Sequence, residues 1–491
     1  MQLLSVVVSV PAYSRGRPWI AFLAAACTAV VAACATPKAA TPVPAAAAAT
    51  KTPVPARAPY SSTYEPVAGP PTLIRNATIL TGTGVRIDAG DVLLENGRIK
   101  ALGPGMTAPD GAQVIDAQGR WVTPGLIDVH SHLGVYPSPS VNAHSDGNES
   151  VDPVTSNVWA EHGVWPQDPG FEAALQGGVT SLQILPGSAN LIGGRGVTLK
   201  NVPATTYQAM KFPGAPQGLK MACGENPKRV YGGRDKAPKT RMGNVAGYRQ
   251  AFADAQDHMQ QWNEYRAKLA KFDSKKEGAE DDSPPKPPKR DLELETLVET
   301  MQGKILVHNH CYRADEMANM LDVAQEFGFR ISTFHHGVEA YKLADRLAEE
   351  GVCAGIWADW WGFKMEAWDG IQENIALVDY PKGGCAIVHS DSSEGIQRLN
   401  QEAAKAMTRG IRIGLDIPPE RAIRWITSNV AHALGIAEQT GSLEAGKMAD
   451  VVIWNGNPFS VYALADQVFV DGALLYDRSK PGARPRSDFS L

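Results

Sequence analysis

Several signatures of common cofactor and nucleic-acid sites are missing from this sequence. The six cysteines form no CxxC pair, which argues against a zinc knuckle. No GxGxxG follows the first predicted strand and no GxxxxGKS/T occurs, so dinucleotide-binding and P-loop folds lose support. The formal net charge is -5, and the lysines are scattered without a basic stripe. We therefore expect no nucleic-acid partner.

Residues 1–34 resemble an export signal rather than part of the fold. Arg15 and Arg17 precede a short apolar run of small residues, which is typical of a secretory signal and too short for a membrane span. The ending VAAC resembles a bacterial lipobox with Cys34 as the lipidated residue. Cleavage before Cys27 and a plain secretory signal are the alternatives. We expect an exported lipoprotein, anchored on the periplasmic side of a bacterial membrane.

The rest of the chain divides by its periodicity. Residues 35–66 are a Pro/Ala-rich tether, and residues 67–121 and 436–491 carry short alternating strands. Strands at both chain ends can pair into a small β-sandwich. Residues 122–435 alternate strand-like and helical runs, which predicts an α/β fold, a (β/α)8 TIM-like barrel. Within it, residues 241–300 read as an insertion, a polar exposed helix followed by a charged, Pro-rich loop.

Ionisable side chains recur where the predicted barrel strands end. One histidine would more often be a packed core residue, but four strands with the same ending are hard to explain that way. The active residues of such barrels sit at the carboxyl ends of the strands. The endings are GLIDVHSH with His130 and His132, KILVHNH with His308 and His310, RISTFHH with His335 and His336, and CAIVHSD with His389 and Asp391.

The first pair carries the strongest local signal. His130 and His132 are separated by one residue, and alternate residues of a strand point to the same side. Two imidazoles that share a small buried volume most often hold a metal ion.

Here the sequence resembles the amidohydrolase superfamily, over residues ~70 to ~480. PGLIDVHSH is similar to the family's first-strand HxH motif, and TSNVAHALGI with GSLEAGKMADVVIWNGNP is similar to its return into the β-sandwich. HNHCYRADEM and FHHGVEAY are nearest to the imidazolonepropionase-like and metal-dependent dipeptidase-like branch.

The resemblance implies a set of metal ligands. These are His130, His132, His310, His336 and Asp391, with Lys220 as a carboxylated bridge if two metals are bound. His308 is the alternative to His310, as a ligand or as a substrate contact, and Lys200 is the rival of Lys220. The alternative to the bridge is that this lysine lies on the surface and that the site holds a single metal. The default metal is Zn2+, one or two per chain.

The chemistry that follows is hydrolysis of C–N bonds. A bound divalent metal makes hydroxide available at neutral pH, and Asp391 would pass a proton to the departing nitrogen. His308 or His389 would steady the oxyanion. The basic loop carrying Tyr231 could receive a substrate carboxylate. The aromatic run WADWWGF, residues 357–363, is either core or the wall of a pocket.

The prediction is therefore a metal-dependent amidohydrolase acting on amides, cyclic amides or short peptides. One alternative is a mononuclear imidazolonepropionase- or deaminase-type enzyme. An alternative of another class is a non-catalytic surface-binding protein on the same barrel. The sequence leaves the oligomeric state and any cysteine pairing open.

Overall fold

The computed structural model describes residues 59–274 and 283–480, which all fall within one compact unit. The predicted signal peptide with Cys34, and the tether up to residue 58, lie outside the described residues. Among the described helices, none combines the length and the apolar character needed to cross a bilayer.

The central element is an eight-stranded sheet with the spatial order β13-β12-β11-β10-β9-β8-β7-β6. Its strands are β6 (Leu126–Ser131), β7 (Val179–Ile184), β8 (Ile192–Lys200), β9 (Gln217–Ala222), β10 (Ile305–Cys311), β11 (Ile331–His336), β12 (Cys353–Ile356) and β13 (Ala386–Val388). Backbone contacts between the first and last strands nearly close this sheet, because Asp391 N donates to His130 O at 3.1 Å. This arrangement fits the predicted TIM-like barrel.

One strand breaks the all-parallel pattern that the sequence predicts. β8 is antiparallel to both of its neighbours, β7 and β9, whereas the other neighbouring pairs are parallel. The cause is the short connection of residues 185–191, which contains no helix. A parallel crossover needs a dozen or more residues, so β7 and β8 form a hairpin instead.

A second eight-stranded sheet is built from both chain ends, as the sequence predicts. Its order is β16-β15-β14-β5-β1-β2-β3, and β4 pairs with β1. The strands are β1 (Thr72–Leu80), β2 (Arg86–Glu95), β3 (Arg98–Gly103), β4 (Gln113–Asp116), β5 (Trp121–Pro124), β14 (Val451–Trp454), β15 (Ala465–Val470) and β16 (Ala473–Asp477). Hydrogen bonds join them into one sheet, so the two-layered sandwich is not confirmed.

The hairpin between β2 and β3 shows how local sequence sets this sheet. Asn96 and Gly97 have φ values of 53° and 74°. Two successive positive φ values are what a two-residue hairpin turn needs, and Asn-Gly adopts them at low cost.

The helices pack around the barrel. They are α1 (Pro169–Gln176), α2 (Glu225–Gly232), α3 (Arg241–Asp273), α4 (Leu292–Met301), α5 (Ala314–Phe327), α6 (Ala344–Glu350), α7 (Asn374–Asp379), α8 (Leu399–Arg412), α9 (Pro419–Ala422) and α10 (Ser428–Ala433). The predicted helix of the insertion is α3, but one face of its first half is buried. Tyr248 and Phe252 are fully buried, and Phe252 stacks on Phe329 with ring centroids 4.4 Å apart.

A buried ion pair joins the barrel to the terminal sheet. Lys200, the last residue of β8, lies 2.7 Å and 2.9 Å from the two carboxylate oxygens of Asp450 and 3.2 Å from Asp471. Tyr64 also donates to Asp471. Burial, and then the charge of Asp450, raise the pKa of Asp471. Lys200 is thus committed to these carboxylates and does not meet the histidines.

Lys200→Met should destabilise the fold by about 3–5 kcal/mol, because it leaves two buried carboxylates without a cation. Denaturant unfolding measures this change. The control is Arg249→Met, since the Arg249–Glu326 pair lies on the surface and contributes little. Equal stability of both variants would contradict a structural role for Lys200.

Candidate metal centre

Strands β6, β9, β10 and β11, with the loop after β13, bring the predicted ligands to one end of the barrel. Most of these side chains are buried, although His132 and Asp391 keep 20% and 24% of their side-chain surface exposed. Parallel strands end at the same edge, so residues far apart in the sequence meet here.

Four polar atoms form the tightest group. His132 Nε2 lies 3.1 Å from Asp391 Oδ1, and His130 Nε2 lies 3.5 Å from the same oxygen. His130 Nε2 is also 3.3 Å from His132 Nε2 and 3.3 Å from Lys220 Nζ. Ligands held at ~2.0–2.2 Å around a tetrahedral zinc lie about 3.4 Å apart, so this spacing fits a metal ion.

A second pair of histidines stands beside this group. His310 receives or donates one hydrogen bond through Nδ1, to Ser188 Oγ at 2.8 Å, while its buried Nε2 has no partner among the described residues. His336 Nε2 is 3.9 Å from Asp391 Oδ2, and its ring centroid is 4.5 Å from that of His310. Both rings therefore have a nitrogen free to bind a cation.

The backbone at His336 explains how two consecutive histidines reach one site. Neighbouring residues of a strand normally point to opposite faces. His336 has a φ of 73°, in the left-handed region that costs a non-glycine residue about 1–3 kcal/mol. This break in the alternation places the rings of both His335 and His336 within 5 Å of the His130 ring, at 4.7 Å and 4.8 Å between centroids.

Burial keeps these imidazoles neutral. The pKa values of His130, His310 and His336 fall well below the usual range because of desolvation, and the charge of Lys220 lowers them further. Burial also lowers the pKa of Lys220 to about 8, an effect that Asp391 partly opposes. A neutral imidazole offers a lone pair, which is the form that binds a metal.

Asp391 stays ionised and is the carboxylate of the site. Burial raises its pKa, but the hydrogen bond and charge of His132, together with the charges of His389 and Lys220, leave the pKa below its usual value. Its position is set by the barrel seam, where Ser390 N donates to Asp128 Oδ1 at 3.2 Å and the Ser390 hydroxyl donates to the same carboxylate.

A chain of hydrogen bonds fixes the orientation of His130. His130 Nδ1 is 2.9 Å from His335 Nδ1, and His335 Nε2 is 2.9 Å from His308 Nδ1. His308 Nε2 then faces the amide of Gln183 at 3.2 Å. If His130 Nε2 binds a metal, each ring must donate to the next and the Gln183 oxygen must accept last. In the present amide orientation that oxygen has no partner within residues 59–274 and 283–480, and rotation of the amide would turn it toward His308.

This chain of hydrogen bonds bears on the choice of metal ligands, which the sequence left open between His308 and His310. Both nitrogens of His308 and both of His335 are engaged within it. That supports His310 and His336 over their neighbours as candidate ligands. His130, His335 and His389 also have ligand atoms within 4.8 Å of one another, but no carboxylate is among them.

Two further predicted residues have different surroundings. His389 Nε2 accepts from the His336 backbone at 3.2 Å, and no residue in the described part of the chain pairs with its buried Nδ1. Tyr231, in α2, is buried and donates its hydroxyl to Asp152 O at 2.6 Å. The structure therefore does not offer the Tyr231 hydroxyl to a substrate carboxylate.

Sequence reasoning missed four residues that support this site: Asp128, Gln183, Ser188 and Ser390. Asp128 was visible as the residue two positions before His130, on the same strand face. Gln183 and Ser188 lie in apolar or Gly/Ser-rich segments with no local signal for their contacts.

Comparison with known proteins identifies the family. The model of the Amidohydrolase family matches residues 383–475. The solved structure of an amidohydrolase from Thermotoga maritima MSB8 is 35% identical, with a TM-score of 0.71, and the match covers 83% of this chain and 100% of that one. This chain belongs to the amidohydrolase family.

Two curated relatives are longer proteins. "Amidohydrolase tasK" of Hapsidospora irregularis is 34% identical over 455 residues, which is 86% of this chain and 45% of that protein. A dihydroorotase of Geobacter metallireducens is 36% identical over 108 residues, 22% of this chain and 20% of that protein. The chain thus spans less than half the length of these relatives.

His335→Ala should lower zinc affinity by about 10–100-fold, because His130 loses the neighbour that fixes its tautomer. Competition with a chromophoric chelator measures the affinity, and circular dichroism checks the fold. His432→Ala, an exposed histidine on α10, is the control and should bind zinc normally. Unchanged affinity in His335→Ala would show that the chain does not orient His130.

Proposed function

We propose that this protein is a metal-dependent amidohydrolase that cleaves C–N bonds in amides, cyclic amides or short peptides. The observation that carries the proposal is the convergence of His130, His132, Lys220 and Asp391 within 3.1–3.5 Å contacts, with the free nitrogen of His310 beside them. Family membership supports the same class of reaction.

The residues present fit a divalent cation, with Zn2+ as the default. His130, His132 and Asp391 would hold one ion, and His310 and His336 a second. A divalent metal bound here would lower the pKa of water and polarise a carbonyl oxygen.

The protein's own groups would then handle the protons. Asp391, ionised and partly exposed, accepts a proton from the attacking water and delivers it to the departing nitrogen. The water oxygen bonds to the carbonyl carbon as the C–N bond breaks, and the products are an acid and an amine. His389 accepts through Nε2, so its neutral ring carries a proton on the unpartnered Nδ1. That donor supports a role in binding the carbonyl oxygen.

Lys220 is proposed as the bridge between two metals. Its lowered pKa, about 8, leaves a much larger neutral fraction near neutral pH than an ordinary lysine has, and a neutral amine can add CO2 with loss of one proton. The carboxylated side chain would be an anion between two cations, where mutual repulsion of the metals requires one.

Metal content per chain tests the bridge. Purified protein loaded with zinc and bicarbonate should hold close to two zinc ions by mass spectrometry and hydrolyse members of a panel of amides, cyclic amides and dipeptides. Lys220→Ala should lose about one ion and most of the hydrolysis, whereas the exposed Lys304→Ala should lose neither.

Two results would contradict parts of this proposal. One ion per chain, unchanged in Lys220→Ala, would remove the bridge and favour a mononuclear imidazolonepropionase- or deaminase-type enzyme. Absence of bound metal together with absence of hydrolysis would favour the non-catalytic binding protein.

We also propose that the protein is exported and lipid-anchored through Cys34. The four described cysteines support export, since they pair as Cys223–Cys311 and Cys353–Cys385. Disulfides persist in oxidising compartments and are rare in the cytosol.

Peptide mass spectrometry tests the disulfides. Protein purified without reductant and alkylated should yield both disulfide-linked peptide pairs and no alkylation at these four cysteines. Reduction before alkylation is the control and should label all four. Four free thiols in the untreated protein would contradict the argument for export.

A further inference from the structure

An aromatic wall borders the metal centre. We define it as Tyr312, Trp357, Trp360, Trp361 and Phe363, which line one cavity of about 540 Å³. Asp391 lines the same cavity. Trp360, Trp361 and Phe363 are 39–57% exposed, although exposing large aromatic side chains to water costs free energy.

The wall is continuous with the histidines of the site. The Trp357 ring stacks on His336 with centroids 4.3 Å apart, and it meets His389 edge-on at 5.1 Å. Trp360 continues the stack at 5.5 Å from Trp357. A group lying against this wall would therefore be close to the reacting bond.

Buried ionic contacts hold the segment that carries the wall. The carboxylate of Glu366 accepts from Glu225 N at 2.9 Å, from Arg241 at 3.1 Å and from Lys364 at 3.0 Å. Lys364 in turn lies 3.9 Å over the ring of Tyr312. The wall is preorganised by these contacts, which reduces the entropy lost when a ligand binds.

The charges around the cavity disfavour an anionic ligand arm. Two carboxylates line it, Asp359 and Asp391, and none of the described residues lining it is Lys or Arg. The nearby Lys405 is already paired with Asp359 at 2.8 Å. A carboxylate placed against the wall would find no Lys or Arg among the described lining residues to pair with, and the nearby Lys405 is already engaged.

We propose that the wall binds a bulky, uncharged apolar group, aromatic by preference, carried next to the scissile C–N bond of the substrate. This inference rests on the proposed function and narrows it to amides with such a group. The ring would cover the exposed faces of Trp360, Trp361 and Phe363 and stack on them.

Matched amides test the specificity. We expect 3-phenylpropanamide to be hydrolysed with a kcat/KM at least about tenfold above that of propanamide, because burial of a phenyl ring is favourable. Succinamate, with a carboxylate arm, should be the poorest of the three. Quenching of tryptophan fluorescence in the metal-free protein measures the same order of binding without turnover.

Two variants locate the effect. Trp360→Ala should remove most of the preference for the phenyl amide, in binding and in kcat/KM. Trp368→Ala is the matched control, since Trp368 belongs to the same segment, is 70% exposed and is not among the residues that line the cavity. It should leave the preference unchanged.

The outcomes separate this inference from the proposed function. Hydrolysis of all three amides without a preference for the ring would overturn the inference and leave the function standing. Preferential binding of the phenyl amide without hydrolysis of any amide would refute the function and support the wall as a ligand site. If both variants instead weaken sedimentation with phosphatidylethanolamine/phosphatidylglycerol vesicles and neither changes amide preference, the segment faces a membrane and the inference is wrong.

Discussion

Buried nitrogen lone pairs at one end of the barrel are the constraint on which the site depends. Desolvation keeps the imidazoles of His130, His310 and His336 neutral, so they cannot satisfy one another by becoming cations. In the part of the chain that the structure describes, His310 Nε2 is left without a partner, and a buried polar atom without a partner is costly. A divalent cation resolves this cost, because it accepts several lone pairs at once and is neutralised in part by Asp391.

The rest of the barrel can be understood as support for that arrangement. The nearly closed seam between β6 and β13 fixes Asp391, and the chain of rings behind His130 fixes its tautomer. Such contacts orient the candidate ligands and so determine the geometry of the metal site. On the open side, Trp357 packs against His336, so the surface that would meet a substrate begins at the metal centre. The Lys200 ion pair lies elsewhere and ties the barrel to the terminal sheet.

Much of this was readable from the sequence, because strand endings and alternation are local patterns. The HxH pair, the barrel class and the association of strands from both chain ends follow from such patterns, whereas the predicted sandwich is instead a single sheet. The antiparallel direction of β8 follows from a connection, residues 185–191, that is too short for a parallel crossover. The resemblance named His336, but the left-handed backbone that brings both His335 and His336 to the site has no local signal, and the roles of Lys200 and Lys220 depend on distant partners. Local sequence carries little information about either.

We expect a metal ion to occupy the cluster formed by His130, His132 and Asp391. An anomalous-scattering map from zinc-loaded crystals, recorded at the zinc absorption edge, locates bound zinc. We expect a peak ~2.0–2.2 Å from Nε2 of His130 and His132 and beside Asp391, since these are the usual zinc bond lengths. A second peak would lie between His310 and His336 if the site is binuclear. Peaks found only elsewhere, or none at the cluster with zinc in excess, would show that these residues do not form a metal site.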